Sequence, residues 1–207
     1  MSKITNEAME KRKAEGKLFA DTPEWMIKGM IAKTLVGRFN RSWSINIPKR
    51  MILEKMIFGS FGKSWIEPPI NVAVGKNISI GDDCYFNFNT VLLDDYKITI
   101  EDNVMFSPNV TVVTTGHPIY PEYRAKGAMY CAPVTIKKGV WIGSNVTVLP
   151  GVTIGENSVI GSGSVVTKNI PANVVAMGTP CEVVREINEH DKIYYFKDRK
   201  YENGKLE

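Results

Sequence analysis

From Val74 onward the apolar residues recur at every sixth position. Cut at that period, the chain reads VGKNIS, IGDDCY, FNFNTV, then LLDDYKIT with two extra residues, then IEDNVM, FSPNVT and VVTTGH. After an interruption the sixes resume as IKKGVW, IGSNVT, VLPGVT, IGENSV, IGSGSV and VTKNIP. The leading positions are Val74, Ile80, Phe86, Leu92, Ile100, Phe106, Val112, Ile136, Ile142, Val148, Ile154, Ile160 and Val166, all apolar. The fifth position is small or aliphatic, and positions two to four are rich in Gly, Asn, Asp and Pro. An amphipathic helix shows apolar residues every three or four positions and a half-buried strand every two, so a period of six fits neither. It predicts a solenoid in which short strands alternate with corners, Gly and Asn supplying left-handed backbone at the corners.

Residues 4–62 follow a different rhythm. Met26, Ile27, Met30, Ile31 and Leu35, and then Met51, Ile52, Met56 and Ile57, have helical spacing, and Pro23 after Asp21 and Thr22 marks a helix start. The spacing predicts two or three short helices packed through these apolar faces on the first coil; a helix lying on a membrane surface would show a similar face. The expected organisation is a helical cap over 1–62, a solenoid over 63–185 with a loop excursion over 117–135, and a tail over 186–207. The tail reads as a short helix followed by an aromatic segment in which Tyr194, Tyr195 and Phe196 dock against the rest of the chain.

Length and composition narrow this further. The chain has 207 residues, 43% hydrophobic and 23% charged, enough for one domain with a core. The net charge of +4 is spread along the chain without a block of like charge, so it suits an anionic small ligand without pointing to nucleic acid or a membrane. Cys84, Cys131 and Cys181 have neither CxxC spacing nor an even count, which argues against a disulfide framework or a zinc knuckle. The N-terminus, MSKITNEAMEKRKAEGK, lacks the apolar stretch of a signal peptide, so a cytoplasmic location is expected. Only two histidines are present, His117 and His190, and no metal site is expected.

His117 closes the last six before the interruption, where the chain leaves the repeat as HPIYPEYRAKGAMYCAPVT and re-enters at Ile136. An excursion of that length inside a regular solenoid is often functional. An imidazole there can serve as a general base near neutral pH, and a hydroxyl attacking a thioester needs one base and an N–H donor for the oxyanion, with no covalent enzyme intermediate. The bland reading of a loop histidine is a surface or structural residue. No cysteine has a base beside it in sequence to make it a convincing nucleophile.

The [LIV]-G-x-x-[SV]-x pattern resembles the hexapeptide-repeat acyltransferases. The stretches EGKLFAD, WIEPP, NFN, LDDY, TGHP, VWIGSNV, VTKNIP, NVVAMGTPCEVVREIN and DKIYYFKD resemble, within that group, the galactoside and maltose O-acetyltransferases from about residue 14 to about residue 198. The resemblance implies an all-β solenoid, a left-handed parallel β-helix with three sixes per triangular coil. Residues 18 apart then stack at about 4.8 Å. On that geometry Ser144 and Ser162 stack, and Asp95 and His117 share a corner one coil apart. The resemblance further implies His117 as catalytic base and Asp21, Tyr85, Asn87, Asp95 and Met129 around a sugar acceptor. Asn87, Ser144, Ser162, Thr167, Lys168 and Arg185 are implied along an acetyl-CoA site, in a homotrimer whose sites are shared between chains. Ala73 stands where that group has a serine against the sugar, and Glu182 where it has an arginine near the cofactor. An acceptor other than a sugar, such as a drug hydroxyl, and a non-catalytic scaffold are the competing readings.

Overall fold

The computed structural model describes residues 5–201. Residues 1–4 of the expected cap and 202–207 of the expected tail lie outside the described residues. Three parallel sheets wind into a triangular prism. The first face stacks Ser60–Phe61, Ile78–Ile80, Ile98–Ile100, Val134–Ile136 and Thr153–Ile154. The second stacks Trp65–Ile66, Tyr85–Phe86, Met105–Phe106, Trp141–Ile142, Val159–Ile160 and Val174–Met177, with Glu182–Glu186 added antiparallel at its end. The third stacks Ile70–Val72, Thr90–Leu93, Thr111–Val113, Thr147–Val148 and Val165–Val166. The chain visits the faces in the order first, second, third, so each coil is three strands and the prism is a parallel β-helix. It begins at Ser60, slightly ahead of the expected boundary at 63.

The period of six sets the interior. All thirteen leading positions are buried, from Val74 at 6% exposure to Ile142 and Val166 at 0%. Phe86 and Phe106 stack at 4.7 Å between ring centroids in consecutive coils. The corners take the backbone their residues favour: Asn89, Asn109 and Asn145 have φ of 61°, 63° and 59°, and their side-chain amides form a ladder with two 3.0 Å bonds. Gly143 lets coils approach, because a Cβ there would stand 2.6 Å from the Ser162 nitrogen.

The cap contains three helices, α1 (Asn6–Ala14), α2 (Pro23–Asn40) and α3 (Ile47–Ile57). Thr22 caps α2 by accepting the Trp25 N–H at 3.2 Å. The buried faces differ from those the apolar spacing predicts. Trp25, Ala32, Leu35, Val36 and Phe39 of α2 are buried, whereas Met26, Ile27, Met30 and Ile31 are 51–59% exposed. On α3, Leu53 and Ile57 are buried with Arg50 and Glu54, while Met51, Ile52 and Met56 are exposed. Both helices carry more apolar residues than one stripe accommodates, and the stripe that packs is the one that also holds Arg50 between Phe39 and Trp65, about 4.8 Å and 4.7 Å from their ring centroids. The tail forms α5 (Glu189–Ile193) and a hairpin of Tyr194–Phe196 with Arg199–Lys200. Tyr194 stacks on His190, but Tyr195 and Phe196 are exposed at 54% and 53%, contrary to the expected docking; they are held by the hairpin's own backbone pairing.

Candidate active site

The chain leaves the prism because the third-face strand Thr111–Val113 is followed by Thr115–Gly116, which pairs antiparallel with Tyr130–Cys131 instead of turning onto the first face. The excursion between them holds a short helix, α4 (Pro121–Ala125), and Gly127 at φ 73°. Its base is fastened to the cap by reciprocal backbone bonds between Phe19 and Met129, 2.9 and 2.8 Å long. His117 is exposed at the start of this excursion, and its Nδ1 lies 3.0 Å from the Ala128 carbonyl oxygen. A carbonyl only accepts, so Nδ1 carries a proton, and in the neutral imidazole the lone pair is then on Nε2.

Two carboxylates occupy the same corner. LDDY contributes Asp94 and Asp95, and their fates diverge. Asp94 is fully buried and accepts the backbone N–H groups of Ala73, Val74 and Asn77 at 2.9, 3.0 and 3.2 Å, with burial pushing its carboxyl up to about 6. Asp95 lines a cavity of about 580 Å³ with Asp21, Pro23, Trp25, Met26, Ile27, Gly29, Met30, Lys33, Ala73 and Val74. Burial raises the Asp95 carboxyl, the charge of Asp21 raises it further, and Lys13 and Trp25 favour the ionised form. Asp21 sits at the exposed rim; burial raises its carboxyl, while Lys13 and His117 pull it down. Asp21 is thus the link between His117 and Asp95, and Met129 packs against the small apolar cluster of Met9, Phe19, Trp25, Val74 and Cys131.

The other expected residues fall elsewhere on the prism. Tyr85, Asn87, Ser144 and Ser162 lie along the second face and the corner that follows it, away from the cavity. Ser144 and Ser162 stack as the eighteen-residue advance requires, the Ser144 N–H donating to Ser162 Oγ at 3.1 Å. Thr167 and Lys168 follow the third face, two coils beyond His117, and Arg185 is on the terminal antiparallel strand. Glu182 is paired with Lys168 at 2.6 Å, so its charge is met within the chain. Arg185 grips Asp191 through two 2.7 Å bonds, which hold the Asp191 carboxyl down at about 2. Burial pushes the Cys131 thiol up to about 11, unsuited to nucleophilic attack.

Lys13 and Trp25 escape sequence reasoning. Lys13 sits in the charged run EKRKAEGK and Trp25 just inside the helix start at Pro23, and neither position carries a motif. Trp25 lines the cavity, and the Lys13 ammonium stacks on its ring from behind.

The family described as bacterial transferase hexapeptide (six repeats) matches residues 133–168. Galactoside O-acetyltransferase of Escherichia coli (strain K12) is 52% identical over 204 residues, 96% of this chain and 99% of that protein. A solved galactoside acetyltransferase in complex with coenzyme A superposes with a TM-score of 0.91 at 52% identity, covering 94% of this chain and 98% of that one. A maltose O-acetyltransferase from Clostridium difficile 630 superposes with a TM-score of 0.84 at 40% identity, covering 87% and 98%. The chain is therefore an acyltransferase and belongs to the galactoside O-acetyltransferase family of hexapeptide-repeat proteins.

Proposed function

We propose that this enzyme moves the acetyl group of acetyl-CoA to a hydroxyl of a galactoside- or maltose-like sugar, by direct attack on the thioester with His117 as general base. The observation that carries the reading is the 3.0 Å bond from Nδ1 to the Ala128 carbonyl, which in the neutral ring leaves Nε2 as the proton acceptor, with His117 near enough to act on Asp21 at the rim of a cavity that Asp95 also lines. Two carboxylates are suited to receive the hydrogen bonds of neighbouring sugar hydroxyls. As the hydroxyl oxygen bonds to the carbonyl carbon, its proton passes to Nε2. The C–S bond then breaks, and the same proton goes to the departing thiolate.

The split between corners supports a homotrimer. Tyr85, Asn87, Ser144 and Ser162 are separated from His117 by the third face within one chain, and a cleft between two prisms brings such corners opposite each other. Tyr85, Met105 and Trp141 stack in register on the second face at 38%, 50% and 47% exposure, an apolar row suited to a neighbouring chain. In that cleft Tyr85, Asn87 and Met129 contact the acceptor. Asn87, Ser144, Ser162, Thr167, Lys168 and Arg185 flank acetyl-CoA, and the setting is cytoplasmic. Among the described residues no helix is long and apolar enough to cross a membrane. Ala73 lines the acceptor cavity without a hydroxyl, so one polar contact to the sugar is absent there.

The test is release of free CoA from acetyl-CoA with a panel of galactosides, maltose-like sugars and drug hydroxyls. A sugar should be the best acceptor, and a folded His117→Ala protein should lose about a hundredfold or more in turnover. Near-normal turnover by that variant contradicts the base assignment. A drug hydroxyl outrunning every sugar contradicts the acceptor class, and no release with any acceptor favours a scaffold.

A further inference from the structure

Asp21 and Asp95 line one cavity, where burial and the charge of Asp21 both favour a protonated Asp95. A protonated carboxyl loses much of its capacity to accept hydrogen bonds. Lys13 opposes this from behind the wall. It lies near the end of the nine-residue helix α1, where a lysine can ordinarily swing its head to water, yet its side chain has 0% exposure. Its ammonium lies 3.2 Å from the Trp25 ring centroid and 4.9 Å from that of Phe19. Among the described residues it donates one hydrogen bond, a long one of 3.4 Å to Glu10. Trp25 is itself part of the cavity lining, so the cation is stacked on the indole that lines the cavity. Two aromatic rings favour a cation in a place closed to water.

We propose that Lys13 is a positioning residue of the acceptor site: its buried ammonium, stacked on Trp25 behind the cavity wall, keeps the Asp21–Asp95 pair doubly ionised, so that both accept hydrogen bonds from the sugar. This rests on the reading of the cavity as the acceptor site. Charged groups act on the pair from several elements. Asp95 faces Asp21, Lys13 and the neutral Trp25, and Asp21 faces Lys13 and His117. Lys13 faces Glu10, Asp95 and Cys131; burial lowers its own pKa, and those groups work in the other direction. Lys33 of α2 also lines the cavity, and Lys28 stands 6.0 Å from the Trp25 ring. Lys13 is the one cation among these with a fully buried side chain, so its field is screened least.

Steady-state kinetics of the wild type, Lys13→Met and Lys13→Arg proteins test the assignment. Lys13→Met should raise the acceptor KM about tenfold, leave kcat and the acetyl-CoA KM within about twofold, and move the acid limb of kcat/KM for the acceptor upward by about one pH unit. The shift is upward because removal of a cation makes the carboxylates bind protons more readily. Lys13→Arg, which keeps the charge, should restore most of both effects. A folded Lys13→Met protein with unchanged acceptor KM and an unmoved acid limb overturns the proposal. A carboxyl ¹³C NMR titration of the unliganded wild type needs no variant. It should show both aspartates ionised at neutral pH, and a proton shared between them there overturns the proposal even if Lys13→Met does not fold. A wild type that acetylates no sugar would sink the acceptor reading, while the same titration, repeated on Lys13→Met, would still judge the hold of Lys13 on the pair.

Discussion

Inside the prism the continuous core from Ile66 to Cys181 consists of aliphatic, aromatic and cysteine side chains stacked coil upon coil. Beside it a small second core of Met9, Phe19, Trp25, Val74 and Cys131 encloses a lysine ammonium and backs onto two aspartates. The first core fills a shape that repeats, so one substitution is felt by neighbours above and below. The second joins a helix, a helix start and a loop base that are far apart in sequence, and it spends its packing on holding charge out of water. The comparison teaches where stability and chemistry reside: the prism supplies a rigid edge, and the irregular core turns that edge into a site.

Truncation in the prism should have the largest effect. Phe106→Ala removes a ring that is 1% exposed and stacked on Phe86, and should cost about 3–5 kcal/mol in denaturant unfolding. A loss below about 1 kcal/mol would show that the coils are not the principal source of stability.

Asp94 sharpens the boundary between the two regions. Its folded carboxyl stands at about 6, above the usual 3.8, because burial outweighs the N–H groups of the 73–77 turn. The folded protein therefore binds a proton that the unfolded chain releases between these values, and stability should be fully present at low pH and decline as pH rises from about 4 to about 6. This contribution amounts to about 1–3 kcal/mol. Comparing urea unfolding of the wild type with Asp94→Asn across that interval isolates it; parallel curves would remove Asp94 as the source.

The smallest effect is expected at the exposed Lys168–Glu182 pair. Glu182→Gln should change unfolding free energy by only a few tenths of a kcal/mol, as surface pairs do. It should also lower the KM for acetyl-CoA by about two- to fivefold, by releasing Lys168 for phosphate. An increased KM would place the pair outside the cofactor's path.

The regular core was legible in full because its periodicity is a local property: thirteen leading positions named from spacing are all buried, and the asparagine corners have the left-handed backbone their spacing implies. The stacking of Ser144 on Ser162 follows from the same arithmetic. The cap was legible in kind but not in facing, since α2 and α3 carry apolar residues around more than one stripe and only tertiary contact selects Trp25 and Phe39 over Met26 and Met30. LDDY shows the limit most sharply. Adjacent aspartates take different parts, one fastening a turn and one lining a cavity, and no one-dimensional pattern assigns those roles. Lys13 was hidden for a related reason, as one basic residue among several on a short helix.

The central claim is that a working site needs the His117 corner of one chain and the Ser144 corner of its neighbour. Co-assembly of His117→Ala chains with Ser144→Trp chains, each nearly inactive alone, measures this directly. Mixed in equal amounts, they should recover about a quarter of wild-type turnover, because about one cleft in four then joins two intact corners. Activity no greater than the sum of the separate variants, in assemblies shown to contain both chains, would contradict the shared site.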